Sequence, residues 1–240
     1  MINKLSICLL GPTCVGKSSV SFKLNDFLPI EIISLDSVMI YKYMNIGSDK
    51  PNDRILTDIK HYLINICDPI ESYSIFKFCI DSIDILNSCF KRNKIPLFVG
   101  GNLMYLWFFQ NIFLNKYSYN IKFLNIGIIP IDKFKLKQLI KIRLFNMFKR
   151  GFVDEVEFLY NRGNLNLMTS SINSIGYKDL WLYFQNKINF NDVTNNILLS
   201  TFNLVEKQEV WLKKWKQNII YIESDKDKIL YNKIYNLIKI

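Results

Sequence analysis

Apolar positions along this chain fall into two alternating rhythms. Nearly unbroken apolar runs, of the kind produced by a strand covered on both faces, occur at Leu5-Ser6-Ile7-Cys8-Leu9-Leu10, at Ile30-Glu31-Ile32-Ile33-Ser34-Leu35, and at 61–66, 95–99, 124–129 and 219–222. Between them lie stretches with helical spacing. In 74–92 the apolar positions are Phe78, Ile80, Ile83, Leu86 and Phe90, and helices are also predicted over 19–27, 132–150, 152–162, 172–184, 191–217 and 225–238. Strand–helix alternation predicts an α/β fold, a parallel sheet flanked by helices, with a helical C-terminal half. No internal repeat, low-complexity tract or long linker interrupts the pattern, so residues 1–240 are expected to form one domain.

Composition narrows the class. No apolar run reaches the roughly 18 uncharged residues of a membrane span, which predicts a soluble protein. Met1-Ile2-Asn3-Lys4 leads straight into the first strand and leaves no room for a signal peptide. Five cysteines without a C-x-x-C pair suggest reduced thiols and a cytoplasmic location, and the single histidine, His61, excludes a multi-histidine metal site. The net charge of +10 is uneven: residues 1–120 carry 12 basic and 10 acidic groups, residues 121–240 carry 19 and 11. A basic second half suits a phosphate-rich partner such as nucleic acid, or reflects lysine-filled solvated faces in a chain rich in Asn and Ile.

The first strand runs into Gly11-Pro12-Thr13-Cys14-Val15-Gly16-Lys17-Ser18, which fits the phosphate-loop pattern G-x-x-x-x-G-K-[ST] and opens a helix. Such a loop turns backbone N–H groups and a helix N-terminus towards phosphate oxygens. Lys17 adds a cation, and the Ser18 hydroxyl is a candidate Mg²⁺ ligand. The expected fold is therefore P-loop NTPase-like. Ligands of parallel sheets sit beyond the carboxyl ends of the strands. Two more strand ends carry candidate chemistry. Asp36-Ser37 offers a metal ligand or general base, or a turn cap; Gly100-Gly101-Asn102 offers close backbone approach to a ligand, or a tight turn.

Longer blocks resemble the tRNA dimethylallyltransferase (isopentenyltransferase) family. The stretch Asp36-Ser37-Val38-Met39-Ile40-Tyr41-Lys42-Tyr43-Met44-Asn45-Ile46-Gly47-Ser48-Asp49-Lys50-Pro51 is similar to D-S-x-x-[IV]-Y-x-x-[ML]-[DN]-I-G-T-A-K-P. His61 to Ile66 with Asp68-Pro69 and Tyr73-Ser74, Val99-Gly100-Gly101, and 143–156 (R-x-x-x-M-x-x-x-G-[FL]-x-x-E-V) resemble further family signatures. So do Ile175-Gly176-Tyr177-Lys178 and Lys207-Gln208-x-x-Trp211-Leu212-x-x-Trp215.

The resemblance implies transfer of a dimethylallyl group from dimethylallyl diphosphate to N6 of the adenosine beside the tRNA anticodon. Residues Gly11 to Ser18 would cradle the diphosphate, with Lys17, Arg143 and Ser18-bound Mg²⁺ stabilising its charge and Asp36 as base. Ser37, Val38 and Met39 would lie along the flipped adenine, and Asp36 and Asn102 also belong to the implied tRNA-binding set. Gly176, Tyr177, Lys178, Lys207, Gln208 and Trp211 would lie along the tRNA. Trp211 and Trp215, at i and i+4, equally suit a core face. A monomer is expected.

This chain also departs from the pattern. Between Asn111 and Lys122 only a short polar connection stands where the family inserts a helical domain, so the insertion is read as deleted. Asn102, Asn173 and Phe202 replace a Thr and two Arg of the signatures. Two alternatives remain: prenyl transfer to a small adenine nucleotide or a P-loop small-molecule kinase, and a non-catalytic phosphate-binding remnant.

Overall fold

The structure, a computed structural model, describes residues 4–215, 219–224 and 227–238. Strand β1 (Leu5–Leu10) is apolar but for Ser6 because it lies in the middle of a sheet covered on both sides. Its odd positions, Ile7 and Leu9, face one layer, and its even positions, Cys8 and Leu10, face the other. The remaining strands are β2 (Ile30–Leu35), β3 (His61–Tyr62), β4 (Ile95–Gly100), β5 (Lys122–Pro130) and β6 (Ile219–Ser224). Every pairing is parallel, in the order β3-β2-β4-β1-β5-β6. The predicted α/β class and the parallel sheet flanked by helices are what the structure has.

Helices α1 (Lys17–Asn25), α6 (Lys133–Lys149) and α10 (Asp227–Ile238) cover one face through Val20, Leu24, Leu136, Ile140, Leu230 and Ile234. On the other, α3 (Ile75–Lys91) and α4 (Leu103–Phe108) pack Phe78, Ile83, Leu86 and Leu106 against Ile33, Leu35 and Phe98. A third core joins residues 40–44 to α6, α7 (Phe152–Asn161), α8 (Tyr177–Phe184) and α9 (Phe190–Lys214). It docks the segment after β2 onto the helical C-terminal half.

Several expectations are corrected. The strand predicted over 61–66 stops at Tyr62, because Leu63 and Asn65 take φ of 61° and 57°, which no strand accommodates. The helix predicted over 172–184 begins only at Tyr177, after Gly176 at φ 85°; Ile172 is buried in the preceding turns. Ile80, expected on the buried face of α3, is exposed.

The connection expected from Asn111 to Lys122 is shorter than it reads. Helix α4 continues through a π-helical stretch, Phe109–Phe113, into α5 (Leu114–Lys116), leaving 117–121 as the link to β5. The wide π turn aims Gln110 at Asn125, buried in β5, and the two amides bond reciprocally at 3.0 and 3.1 Å. A short helix, α2 (Asp53–Asp58), capped by Asn52, was not predicted. The predicted ends 216–217 and 225–226 lie outside the described residues, as does most of Met1-Ile2-Asn3-Lys4.

Gly47 shows how tightly the third core is built. A Cβ there would come within 2.1 Å of the Phe152 ring and 2.8 Å of Tyr177, both fully buried. Gly47→Ala is expected to lower unfolding stability by about 1–3 kcal/mol through overpacking. A urea midpoint matching the parent's would show that the two rings can yield.

Candidate active site

Register brings the chemistry to one level. Leu10 of β1 and Leu35 of β2 both pair with Gly100 of β4, so the phosphate loop, Asp36-Ser37 and Gly101-Asn102 leave the sheet side by side. Asn102 closes this row: its N–H donates to Leu35 O at 3.0 Å, and its side chain caps α4 by accepting from the Tyr105 N–H at 3.4 Å.

The loop itself is shaped by Gly16, whose φ of 91° turns the chain into α1, and by Cys14 at 63°. No side chain caps the N-terminus of α1, so its first N–H groups and the helix dipole face the loop. Val15 is buried and anchors the loop, whereas Ser18 is exposed in the first helical turn. Lys17 Nζ donates to Gly11 O at 2.9 Å and to Pro12 O, so the ammonium lies across the loop. Burial, and then the Arg143 guanidinium, push Lys17 down to about 8, against weaker pulls from Cys14 and Asp36. Arg143, on α6, donates through Nη1 to Thr13 Oγ1. Two cations from distant parts of the chain thus converge on one loop.

Gln208 of α9 clasps the same loop from the other side. Its Oε1 accepts from the Thr13 N–H at 3.3 Å, and its Nε2 donates to Gly101 O at 3.2 Å. A Cβ on Gly101 would stand 2.2 Å from that Nε2, so the close approach foreseen at Gly100-Gly101 is made to Gln208.

Asp36 uses Oδ1 to accept from the N–H groups of Val38 at 2.8 Å and Met39 at 3.2 Å. The turn-capping reading of Asp36 therefore holds, and it fixes the carboxylate while Oδ2 takes no part in the turn. Beside it lies a narrow cleft with a cavity volume of only about 10 Å³, lined by Leu35, Asp36, Ile40, Tyr73, Phe78 and Tyr105, with Ser37 and Asn102 also on its wall.

The residues expected along the RNA are not equally placed. Ser37, Lys178 and Lys207 are exposed, and Asp36, Val38, Met39, Asn102 and Trp211 are half-buried. Gly176, Tyr177 and Gln208 are buried, so for these three the expected position on an outer surface is corrected to a supporting one. Tyr177 donates to Glu155 Oε1 at 2.7 Å, and Gly176 packs on Phe152. Trp215 is buried and Trp211 packs at a tilt near Trp107, which is the core-face reading of that helix.

Two supporting residues carried no assigned role in the sequence. Glu155 of α7 accepts from the N–H groups of Asn45, Ile46 and Gly47 at 2.7, 2.7 and 3.0 Å, besides Tyr177. Buried Lys50 donates to Tyr41 O, Asn45 Oδ1 at 3.1 Å and Asn65 Oδ1 at 2.7 Å, and burial pushes it down to about 8. Both stand inside matched blocks, but their partners, backbone groups together with Tyr177, Asn45 and Asn65, are brought to them by the fold, which no residue pattern displays.

The sequence model of a family described as IPP transferase matches residues 39–117 and 107–215. The chain belongs to the IPP transferase family. It is 33% identical to a tRNA dimethylallyltransferase of Wigglesworthia glossinidia brevipalpis, over 99% of this chain and 95% of the relative. It is 32% identical to a tRNA dimethylallyltransferase of Buchnera aphidicola subsp. Cinara cedri, over 98% and 97%. Its fold matches the crystal structure of a tRNA isopentenylpyrophosphate transferase from Staphylococcus epidermidis with a TM-score of 0.88, at 20% identity, covering 98% of this chain and 99% of that one. In this IPP transferase the loop, Asp36 and Arg143 thus occupy the ligand edge of a fold shared with solved relatives.

A depressed Lys17 has a measurable consequence. A bound diphosphate raises its pKa again, so binding takes up a proton from about pH 8 upwards, and affinity declines as pH rises through that value. Calorimetry of pyrophosphate binding at pH 8, in two buffers of different ionisation enthalpy, should give uptake of about half a proton from this group. An uptake that Lys17→Met does not reduce would mean another group titrates.

Proposed function

We propose that this protein is a tRNA dimethylallyltransferase that transfers the dimethylallyl group of dimethylallyl diphosphate to N6 of the adenosine adjacent to the anticodon. The observation that carries the reading is the convergence of Lys17, Arg143 and the uncapped start of α1 on one loop, with Asp36 at the neighbouring strand end. That arrangement suits a reaction in which negative charge grows on a diphosphate while a nearby amine loses a proton.

In this reading the diphosphate lies in the loop Gly11–Ser18, bound by its backbone N–H groups and by the Lys17 and Arg143 cations. The bond between the allylic carbon and the diphosphate oxygen breaks, and N6 of the adenine forms a bond to that carbon. The N6 proton passes to Asp36, whose carboxylate the Val38 and Met39 amides hold in place. The apolar walls Leu35, Ile40 and Phe78 suit the hydrocarbon part of the donor. A base whose N6 reaches Asp36 has left its stack, and exposed Lys178 and Lys207 with the basic second half supply phosphate contacts.

Mg²⁺ is the proposed cofactor. The exposed Ser18 hydroxyl, beside a loop shaped for phosphate, fits a cation that keeps waters and takes most other ligands from phosphate oxygens. Bound there, it would neutralise leaving-group charge. Among the described residues no cluster of three or more His, Cys, Asp or Glu offers a metal site built from protein alone.

The family's helical insertion is proposed to be absent from this chain, which works as a monomer in the cytoplasm. Two observations support the absence. The alignment to the Wigglesworthia enzyme runs over 308 positions against 240 residues here, and the two family-model segments meet at 107–117, beside the link 117–121. Among the described residues no helix is long and apolar enough to cross a membrane.

Transfer is tested with labelled dimethylallyl diphosphate and Mg²⁺, offering anticodon stem-loop RNA, AMP or ADP as acceptor. Label is expected on the stem-loop; label on a mononucleotide alone would overturn the tRNA reading. Asp36→Asn keeps an Oδ1 for the turn and should reduce transfer by roughly 10²- to 10⁴-fold while pyrophosphate binding persists. Unchanged turnover in that variant would remove Asp36 from the base role.

A further inference from the structure

In the block 36–51, the family pattern reads alanine where this chain carries Asp49. The side chain it adds lands on the active-site arginine. Asp49 Oδ2 stands 3.0 Å from Arg143 Nε, an ion pair in which the N–H is not aimed at the oxygen, and Oδ1 accepts from Arg150 Nη1 at 3.2 Å. Arg143 and Arg150 lie seven residues apart, two turns along one helical face, so a single carboxylate reaches both. We propose that Asp49 is a positioning residue that holds Arg143 against the phosphate loop for the diphosphate. The inference rests on the reading of Arg143 as a diphosphate ligand.

Three features support it. Asp49 is rigidly placed: it sits at φ 58°, its N–H donates to Ile46 O at 3.0 Å, and Ser48 and Lys50 on either side are buried and hydrogen-bonded. Asp and Asn tolerate that left-handed conformation better than most residues. The Glu155 bonds to residues 45–47 fix the base of the same turn. Next, the two contacts on Arg143 divide its guanidinium, with Asp49 against Nε and Thr13 on Nη1, which orients the planar fork at the loop. Finally, the pair is partly exposed, at 27% for the Arg143 and 40% for the Asp49 side chain. Such a pair adds little to global stability, so its effect falls on where the arginine points.

Positioning and simple electrostatics predict opposite signs here. A carboxylate near an anion site repels the anion, so its removal would tighten binding if charge alone mattered. Removal weakens binding if Asp49 acts by holding Arg143. Asp49→Asn deletes the charge and keeps the left-handed preference; Asp49→Gly deletes the side chain and accepts the same φ.

The test is calorimetry of inorganic pyrophosphate with Mg²⁺ on the full chain, for the parent, Asp49→Asn, Asp49→Gly, Arg143→Gln and the double variant Asp49→Asn/Arg143→Gln. Arg143→Gln should weaken binding by roughly tenfold or more, and each Asp49 variant by about three- to tenfold. The double variant should bind no worse than Arg143→Gln, because the two residues act as one unit. Equal or tighter binding by both Asp49 variants, with Arg143→Gln still impaired, would overturn the positioning role and leave the arginine's role standing. Additive losses in the double variant would overturn it too, since Asp49 would then act on some other group. Normal binding by Arg143→Gln would overturn both readings together.

Discussion

The carboxylate of Glu155 holds together two parts of the chain that local forces would leave apart. It accepts three consecutive backbone N–H groups, from Asn45 to Gly47, and the hydroxyl of buried Tyr177. Hydrogen bonds to a charged acceptor are each worth about 1.5–3 kcal/mol, and three amides in a tight turn have no other acceptor at hand. The turn they form follows Asp36 along the chain, and the helix that carries Glu155 follows the one carrying Arg143. Glu155 therefore sets the segment that follows Asp36 in register with the one that follows Arg143. Catalytic geometry to within an ångström, between residues over a hundred positions apart, needs a tie of this kind.

A second constraint is electrostatic. Lys17 and Lys50 are both depressed mainly by burial, yet they solve the same problem differently. Lys50 is surrounded by fixed acceptors, Tyr41 O, Asn45 and Asn65, and serves as a clamp inside the 41–65 segment. Lys17 has two loop carbonyls, a neighbouring guanidinium that repels it, and weaker attraction from Cys14 and Asp36. A cation left under-compensated in this way gains most from an arriving anion, which is the property a phosphate site requires. The contrast accords with the proposed reading, in which Lys50 is structural and Lys17 binds the diphosphate.

Legibility in the sequence followed the range of the forces involved. The phosphate loop could be read because strand, turn and helix start are contiguous and the pattern encodes their backbone demands. The strands β1, β2, β4 and β5 could be read because burial on both faces writes unbroken apolar runs. Apolarity without periodicity misled elsewhere. Leu103 to Leu114 buries one face, Leu103, Leu106, Phe109 and Phe113, but its outer positions, such as exposed Met104 and Ile112, are apolar too, so no helical stripe shows. Residues 61–66 imitate a strand because Leu63 is buried, but tertiary docking of 65–67 onto 39–40 bends the backbone out of the sheet. Gln208 and Tyr177 were found as positions and misplaced as surfaces. A signature marks that a residue type is required, not whether it faces a ligand or the loop beneath it. Asp49 and Glu155 were invisible as actors, since their partners are set by the fold.

The same distinction bears on what a transferase could keep without the insertion proposed to be absent here. The groups around the loop are tied to one another within the core: Thr13 by Gln208 and Arg143, Gly101 by Gln208, Lys17 by Gly11 and Pro12, Asp36 by its own turn, Arg143 by Thr13 and Asp49. None of these ties uses residues near the 117–121 link. The donor end of the site is thus complete within the core. The acceptor end is defined by half-buried Val38, Met39 and Asn102 and by exposed lysines, groups that constrain a flat aromatic base less tightly than hydrogen-bonded cations constrain a diphosphate. Loss of peripheral structure would therefore fall on acceptor recognition first. An RNA supplies many phosphates along its length, so distributed basic charge in residues 121–240 offsets part of that loss in a way no small acceptor could use.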